Sequence, residues 1–275
     1  MQRTLRSVFS AVFVVGVIGS VMGSVGCLPD PAPVDDGGAD GFDAAQRTRA
    51  LQLISVFENG TPELQYGYVE DLDDGRGFTC GLGFTTATGD AHDVVVRYQD
   101  AVGDNVLTPF LPELERLASL DEGDGADDTS GLNGFADAWQ AASADAEFRV
   151  AEDAVVDDNN VEPALAHWRD LGHQSALSLF ALLDAVWMHG DGDDLDGVPA
   201  LIDRTCVDPA DEENWLRTFL AVRANDMLQP ANTATKEEWT AALPRIDVQE
   251  DLLNDGNVDL DGPIDVGHGF DVTVE

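Results

Sequence analysis

Lysine is almost absent from this sequence of 275 residues: Lys236 is the one lysine, and lysine and arginine together number 14 against 53 aspartates and glutamates. The formal net charge is -39 at pH 7. So negative a chain repels phosphate backbones and anionic lipid headgroups and attracts polycations, which argues against nucleic-acid binding. Two explanations of the charge stay open. We favour adaptation to high salt, where counterions screen self-repulsion, over a demand set by a cationic substrate.

Cysteine is also scarce, with three residues in the chain. Cys80 and Cys206 either form a disulfide in an exported protein or remain as lone thiols, and the sequence leaves both possibilities open. A nucleophilic role for Cys80 is disfavoured because no histidine nearby completes a Cys/His pair. Zinc-ligand spacing, a phosphate loop and a Ser/His/Asp order are all missing. Two Asp-rich runs, 191–196 and 257–268, imitate calcium loops but lack the closing glutamate, so no metal site is predicted.

The first 27 residues have the pattern of a secretion signal. Arg3 and Arg6 precede an uncharged, largely apolar run over 8–25, which ends at Gly26 and Cys27. The small residues before Cys27 resemble a bacterial lipobox, and this resemblance implies a lipid on Cys27 that holds the mature protein to a membrane. Simple secretion after cleavage is the alternative. In both cases the predicted location is extracellular or at the cell surface.

The segment 28–43, with PDPAPVDDGGADGFD as its bulk, is rich in proline, glycine and aspartate and is predicted to be a flexible acidic linker. The body of the protein is then 44–275, a length that suits one domain. Helical periodicity dominates it, with a first helix that carries Leu51, Ile54 and Glu58 and stops at Asn59-Gly60. Further helices are predicted over Asp93–Val102, Thr108–Ser119, Phe135–Val155, Pro163–Met188 and Glu212–Leu228.

Residues 65–90 differ in amino-acid composition from the rest of the body. Aromatic and β-branched residues alternate there with many glycines, which is typical of a small hairpin lobe with tight turns. The predicted fold class is therefore α+β and mainly α-helical, with two lobes, one of them small and built on β-hairpins, and a cleft between the lobes.

Two acidic residues near this region suggest a catalytic pair. Glu58 lies at the end of its helix, where the negative end of the helix dipole and the neighbouring Phe57 disfavour the charged carboxylate. Asp74 lies in the turn DGRG beside Arg76, which keeps it ionised. A protonated glutamate opposite an ionised aspartate is the pair that glycoside hydrolysis requires. Taken alone, each residue is as readily an ordinary surface acid.

The longer sequence context resolves this ambiguity. Residues 53–90 read LISVFENG, then QYGYVEDLDDGRGFTCGLGFTTATGD, and they resemble the signature of the family 46 chitosanases. In that signature a helix-end glutamate precedes YxYIEDxGDGRGYTxGxxGFxxGTGD. The resemblance continues in ALLDAVWMHG (181–190), WLRTFLAVRANDML (215–228) and PRIDVQEDLLNDGNVDLDGP (244–263), so it covers nearly the whole body.

This resemblance implies a lysozyme-like fold and an inverting, endo-acting hydrolysis of β-1,4 bonds in chitosan without any cofactor. Glu58 is then the general acid, Asp74 the general base, and Thr79 helps to hold the attacking water. Asp90 matches the principal amine-binding aspartate. The remaining candidates for sugar contacts are Tyr68, Glu70, Arg76 and His189, although a capping or core role is equally open for His189. The expected partner is chitosan or a chito-oligosaccharide, and we expect a monomer.

Three further residues are predicted to support the site. Asp184 lies in an apolar helical run, where an unpaired charge is costly, so it needs a partner. The resemblance supplies Arg223 as that partner, and Arg204 is expected to extend the pair toward Glu58. Two other functions are kept open: a non-catalytic surface lipoprotein that binds polycationic glycans, and a related hydrolase of another amino sugar polymer.

Overall fold

The computed structural model describes residues 41–120 and 124–275. The predicted signal peptide, the lipidation site at Cys27 and nearly all of the predicted linker lie outside these residues and stay predictions. In the described ranges, no helix is both long and apolar enough to cross a membrane.

The described chain is mainly helical and contains two small antiparallel sheets. The α-helices, in chain order, are α1 (Ala44–Asn59), α2 (Asp90–Val102), α3 (Leu111–Ala118), α4 (Phe135–Ala142), α5 (Ala146–Val156), α6 (Glu162–Asp170), α7 (Ala176–His189), α8 (Val198–Arg204), α9 (Glu212–Leu228), α10 (Lys236–Ala241) and α11 (Pro244–Asn254). The strands are β1 (Val69–Asp71), β2 (Phe78–Cys80), β3 (Phe84–Thr85), β4 (Ile264–Asp265) and β5 (Thr273–Val274). Short 3-10 turns cover Thr108–Phe110 and Thr129–Gly131, and a π-helical turn covers Asp157–Val161.

The chain forms two compact units. Of the described residues, the first unit contains 41–63 together with Asn160–Glu275, and the second unit contains those within Leu64–Asn159. The first therefore holds α1, α6 to α11 and the β4–β5 pair, and the second holds the three-stranded sheet and α2 to α5.

The first unit is organised around α7. Every residue of this helix except Trp187 is buried, and α1, α6, α8, α9 and α11 all pack against it. A helix that is apolar on all sides must be covered on all sides, which explains its central place. The core around it includes Trp215, Phe219 and Trp239.

The second unit has a core of aromatic side chains. The ring of Phe135 packs on Phe78 and Trp139, and Trp139 in turn meets Phe148 edge to face at 5.0 Å between centroids. The indole N–H of Trp139 donates to the carbonyl of Tyr66 at 3.0 Å, so the buried ring leaves no unpaired polar atom. Strands β1, β2 and β3 pair in chain order as an antiparallel sheet.

The prediction of a mainly helical α+β fold with a small β-region near its start is confirmed, but two predicted helices were wrong as single elements. The segment 135–155 is broken after Ala142, because Asp145 takes an extended conformation and caps α5 by accepting from the amide of Glu147. The segment 163–188 is broken at Gly172, which has a φ of 72°, and Ser175 caps α7. Helices α8, α10 and α11 were not predicted.

Candidate active site

Glu58 lies in the last turn of α1 in the first unit. The helix begins with a capping box, in which Asp43 accepts from the amides of Ala45 and Gln46, and it ends at Gly60 with a φ of 70°. Glycine adopts this left-handed conformation without steric cost, so the chain turns away directly after Asn59. The helix end thus holds Glu58 at a half-buried position, with 13% of its side chain exposed.

Glu58 is paired with a cation that the sequence analysis missed. Arg245 Nη2 lies 2.7 Å from Glu58 Oε1 and 3.0 Å from Asp184 Oδ1, and its guanidinium stands over the ring of Phe57, 5.2 Å from the centroid. Arg245 therefore bridges Glu58 to a second acid, a contact that the local sequence around Glu58 does not contain. This arginine fixes the direction of the Glu58 carboxyl.

Asp184 is the centre of a buried network, and its partner is the one expected from the sequence. Arg223 Nη1 lies 2.5 Å from Asp184 Oδ2, both side chains are fully buried, and Gln249 Nε2 donates to the same oxygen at 2.8 Å. Burial raises the pKa of Asp184, but Arg223 and Arg245 lower it more, and the net direction is below the ordinary value. Asp184 is thus an anion that holds two arginines beside Glu58.

Arg204 does not extend this network to Glu58. Its Nη2 lies 2.6 Å from Asp226 Oδ1, and it also donates to the carbonyls of Ala200 and Leu195. Burial raises the pKa of Asp226 to about 6, although Arg204 acts in the opposite direction. The prediction for Arg204 was wrong because α8 ends at this arginine beside α9, and Arg245 of α11 takes the expected place.

His189 belongs to the core and does not present its ring to a ligand. Its side chain is 0% exposed and its ring lies 4.5 Å from that of Trp239, centroid to centroid. Burial lowers the pKa of His189 well below the ordinary value, and the nearby Arg223 and Arg245 lower it further. Of the two roles considered for His189, the burial of the ring and its contact with Trp239 favour the core role.

Asp74 lies in the second unit, in the turn between β1 and β2. Gly75 has a φ of 86°, which permits the reversal, and the backbone amide of Arg76 donates to Asp74 Oδ1 at 3.1 Å. The guanidinium of Arg76 also donates two hydrogen bonds to Asp74 Oδ2, from Nη2 at 2.5 Å and from Nε at 3.1 Å. Both side chains keep access to solvent, with 24% of Asp74 and 18% of Arg76 exposed. The turn therefore presents an acid held by its own arginine.

Thr79 lies in the middle of β2, opposite Glu70 on β1 and Thr85 on β3. The residue is only 2% exposed, and its Oγ1 has no hydrogen-bond partner within the described residues. On the neighbouring β1 side, Tyr68 donates its hydroxyl to Glu70 Oε2 at 2.7 Å. Burial and this hydrogen bond raise the pKa of Tyr68. Three predicted site residues thus lie within the small sheet and its approach.

Asp90 begins α2, directly after the TATG turn. It accepts from Thr88 Oγ1 at 2.7 Å and from Asn159 Nδ2 at 3.1 Å. Burial raises the pKa of Asp90, and Asp93 acts in the same direction, whereas the two hydrogen bonds lower it. The side chain is a directed acceptor with no cation paired to it in the part of the chain that the structure describes.

Comparison with known proteins places the chain in a family. Residues 52–264 match the family described as glycosyl hydrolase family 46. The chain belongs to this family. The protein named chitosanase from Bacillus subtilis (strain 168) is 48% identical over 236 residues, which is 83% of this chain and 84% of that protein. The chitosanase of Nocardioides sp. (strain N106) is 34% identical over 254 residues, covering 88% and 86% of the two chains.

Solved structures of family 46 members share the fold. The crystal structure of native chitosanase from Bacillus subtilis MY002 superposes with a TM-score of 0.77 at 46% identity, covering 86% of this chain and all (100%) of that one. A complex of a Gynuella sunshinyii GH46 chitosanase with chitotetraose gives 0.72 at 46% identity, with 81% and 94% covered. The expected lysozyme-like fold is thereby confirmed.

Two members of the Glu58 network were missed from the sequence although a signal was present. Arg245 and Gln249 are four residues apart on α11 and are both buried, so they lie on one face of the helix. A long cation and an amide among apolar residues on the buried face indicate a paired polar network, as they do for Asp184. Glu152, fully buried on α5 in the second unit, was also missed.

Proposed function

We propose that this family 46 glycosyl hydrolase is a chitosanase that cleaves β-1,4 bonds inside chitosan by inversion. The observation that carries the proposal is the 48% identity over most of the chain to a protein named chitosanase. A solved mutant of the Bacillus subtilis MY002 chitosanase, described as complexed with 6 GlcN, is 46% identical and supports a glucosamine oligomer as the ligand.

Glu58 is the proposed general acid. Its carboxyl is half-buried and held in direction by Arg245, which leaves one oxygen, Oε2, for proton donation to the leaving glycosidic oxygen. Because Arg245 is shared with the buried Asp184, the cation belongs to a pair of acids rather than to Glu58 alone. The shared guanidinium thus fixes the orientation of the Glu58 carboxyl while it also pairs with Asp184.

Asp74 is the proposed general base. The two contacts from Arg76 orient the Asp74 carboxyl, and a carboxylate is the group that accepts a proton from water in this role. Thr79 is proposed to hold that water, since its buried hydroxyl makes no hydrogen bond within the described residues and is therefore left to pair with a water molecule. Inversion requires the two carboxyls to stand about 6.5–9.5 Å apart, so that the water fits between Asp74 and the sugar.

Asp90 is the proposed ligand of a substrate amine. Protonated glucosamine carries an ammonium group, and a carboxylate pre-aimed by two neutral hydrogen bonds binds it through a charge-assisted contact. The strongly acidic composition also steers a polycation toward the protein at low salt.

The test is hydrolysis of a chitosan hexamer by Glu58→Gln and Asp74→Asn, with product measured as reducing ends. Each substitution keeps the shape of the side chain and removes the proton transfer, so kcat should fall by at least about 100-fold. Glu115→Gln and Asp100→Asn, at exposed positions outside the proposed site, are the matched controls and should keep wild-type rates.

Two results contradict the proposal. If either Glu58→Gln or Asp74→Asn retains most of the wild-type kcat, the assignment of acid and base is wrong. If the wild-type protein binds the hexamer but releases no product, the chain is a glycan-binding lipoprotein of the kind considered from the sequence.

A further inference from the structure

Glu152 is a buried acid that the proposed mechanism does not use. It lies on α5 with 0% exposure, and in the described part of the chain no lysine, arginine or histidine pairs with it. Its one hydrogen bond is to the backbone, where the amide of Leu82 donates to Oε2 at 3.2 Å, and Oε1 has no partner there. Burial raises its pKa well above the ordinary value, with Asp153 acting in the same direction and the Leu82 amide against it.

The carboxyl of Glu152 is pressed against the turn that joins β2 to β3. Gly81 has a φ of 51°, and a Cβ on this residue would stand 2.2 Å from Glu152 Oε2. The amide of Gly81 donates to the carbonyl of Tyr68 at 2.7 Å, and that of Gly83 donates to the carbonyl of Cys80 at 3.1 Å. The turn is therefore fixed on one side by the carbonyl of Tyr68, which directly precedes β1, and on the other by the Glu152 carboxyl.

This turn continues directly from the strand that carries Thr79. Cys80 separates Thr79 from Gly81, is itself fully buried and remains a free thiol, so it contributes no covalent link to hold the strand. A shift of the turn is transmitted along β2 to Thr79, whose register against Glu70 and Thr85 depends on the same short ladders. With only three residues in β2, few other hydrogen bonds resist such a shift.

We propose that Glu152 is a positioning residue for catalysis, which tethers the Gly81–Leu82 turn to α5 and thereby places the Thr79 hydroxyl that holds the attacking water. The inference rests on the proposed function, since the role of Thr79 belongs to it. A buried acid without a counter-ion is a poor stabiliser, and an apolar side chain of the same size would avoid the desolvation. Buried acids that destabilise the fold in this way are concentrated at functional sites.

The experiment compares Glu152→Met with Glu152→Gln by steady-state kinetics on a chitosan hexamer. Methionine fills the space but cannot accept from the Leu82 amide, so kcat should fall about tenfold or more while KM stays within about twofold. Glutamine keeps an acceptor oxygen and should recover kcat to within about threefold of wild type. Glu147→Gln, at an exposed position of the same helix, is the control. Gly81→Ala places a Cβ where it would meet Glu152 Oε2 at 2.2 Å, so it displaces the turn from the Glu152 carboxyl and should also lower kcat rather than raise KM.

The inference is overturned if folded Glu152→Met keeps kcat within about twofold of wild type, or if Glu152→Gln loses as much as Glu152→Met. Should the methionine variant not fold, as urea unfolding shows, Gly81→Ala decides by the same split between kcat and KM. Failure of the proposed function is recognised separately, because it appears as an inactive wild type or as active Glu58→Gln and Asp74→Asn variants.

Discussion

Replacement of Asp184 by asparagine should destabilise the first unit strongly. Among the described residues, Asp184 is the one anion paired with Arg223, at 2.5 Å, and it also contacts Arg245, at 3.0 Å, with both arginines almost completely buried. Asparagine keeps the size and one acceptor oxygen but removes the charge, so two cations remain in the interior with Glu58 as their nearest acid.

The expected cost follows from the burial. Removal of one partner from a buried ion pair costs about 3–5 kcal/mol, because the other charge stays desolvated. For a body of this size each kcal/mol lowers the melting temperature by about 2–4 °C, so Asp184→Asn should melt about 6–20 °C below wild type. An exposed pair should behave differently: Glu213 and Arg217, 68% and 44% exposed at 3.0 Å, should contribute about 0.3–0.5 kcal/mol.

The assay is urea unfolding of Asp184→Asn, Arg223→Met and the double variant, with Glu213→Gln as the control. Since the two side chains share one interaction, the double variant should lose clearly less than the sum of the single variants. A loss of under about 1 kcal/mol for Asp184→Asn, or strict additivity, would refute the reasoning that this network is held by its buried charges.

Three further predictions concern pH, substrate and salt. Burial lowers the pKa of His189 in the folded protein. As the pH falls below about 6.5, His189 is protonated in the unfolded chain but stays neutral in the folded chain. The free energy of unfolding is therefore full above that pH and declines below it. Unfolding free energies at pH 7 and pH 5 should differ less for His189→Gln than for wild type, and equal differences would contradict this. Because burial raises the pKa of Asp90, its charge is lost at a higher pH than for an ordinary aspartate. The KM for the hexamer should therefore rise on acidification, and Asp90→Asn should show a KM that is already high and depends less on pH; an unchanged KM argues against amine binding. With a net charge of -39, the melting temperature should increase with KCl concentration, and a flat curve would speak against adaptation to salt.

Helix boundaries could be predicted where local signals coincide with the hydrophobic period. The bounds of α9 agree with the prediction, because its buried face runs without interruption and Asp211 caps its start. The break after Ala142 was missed since no glycine or proline marks it, and apolar residues continue with helical spacing into α5. Gly172 and Ser175 are signals for the break before α7, but the long apolar run that follows favoured a single helix over 163–188.

The site shows the same division between local and long-range information. Asp74, Gly75 and Arg76 form their contacts within three residues, so the motif itself carries the geometry. The partner of Glu58 comes from Arg245, 187 residues away, and nothing in the local pattern around Glu58 distinguishes it from Arg204. Pairings of that kind depend on how α1, α7 and α11 pack, which composition and periodicity do not determine.

The anomeric form of the first product tests the central claim most directly, namely that Glu58 and Asp74 act together as acid and base on one β-1,4 bond. Proton NMR of a chitosan hexamer, recorded within the first minutes of hydrolysis, should show new reducing ends in the α form, because water activated by Asp74 attacks from the face opposite the leaving group. New ends in the β form would mean a covalent intermediate and would contradict the assignment.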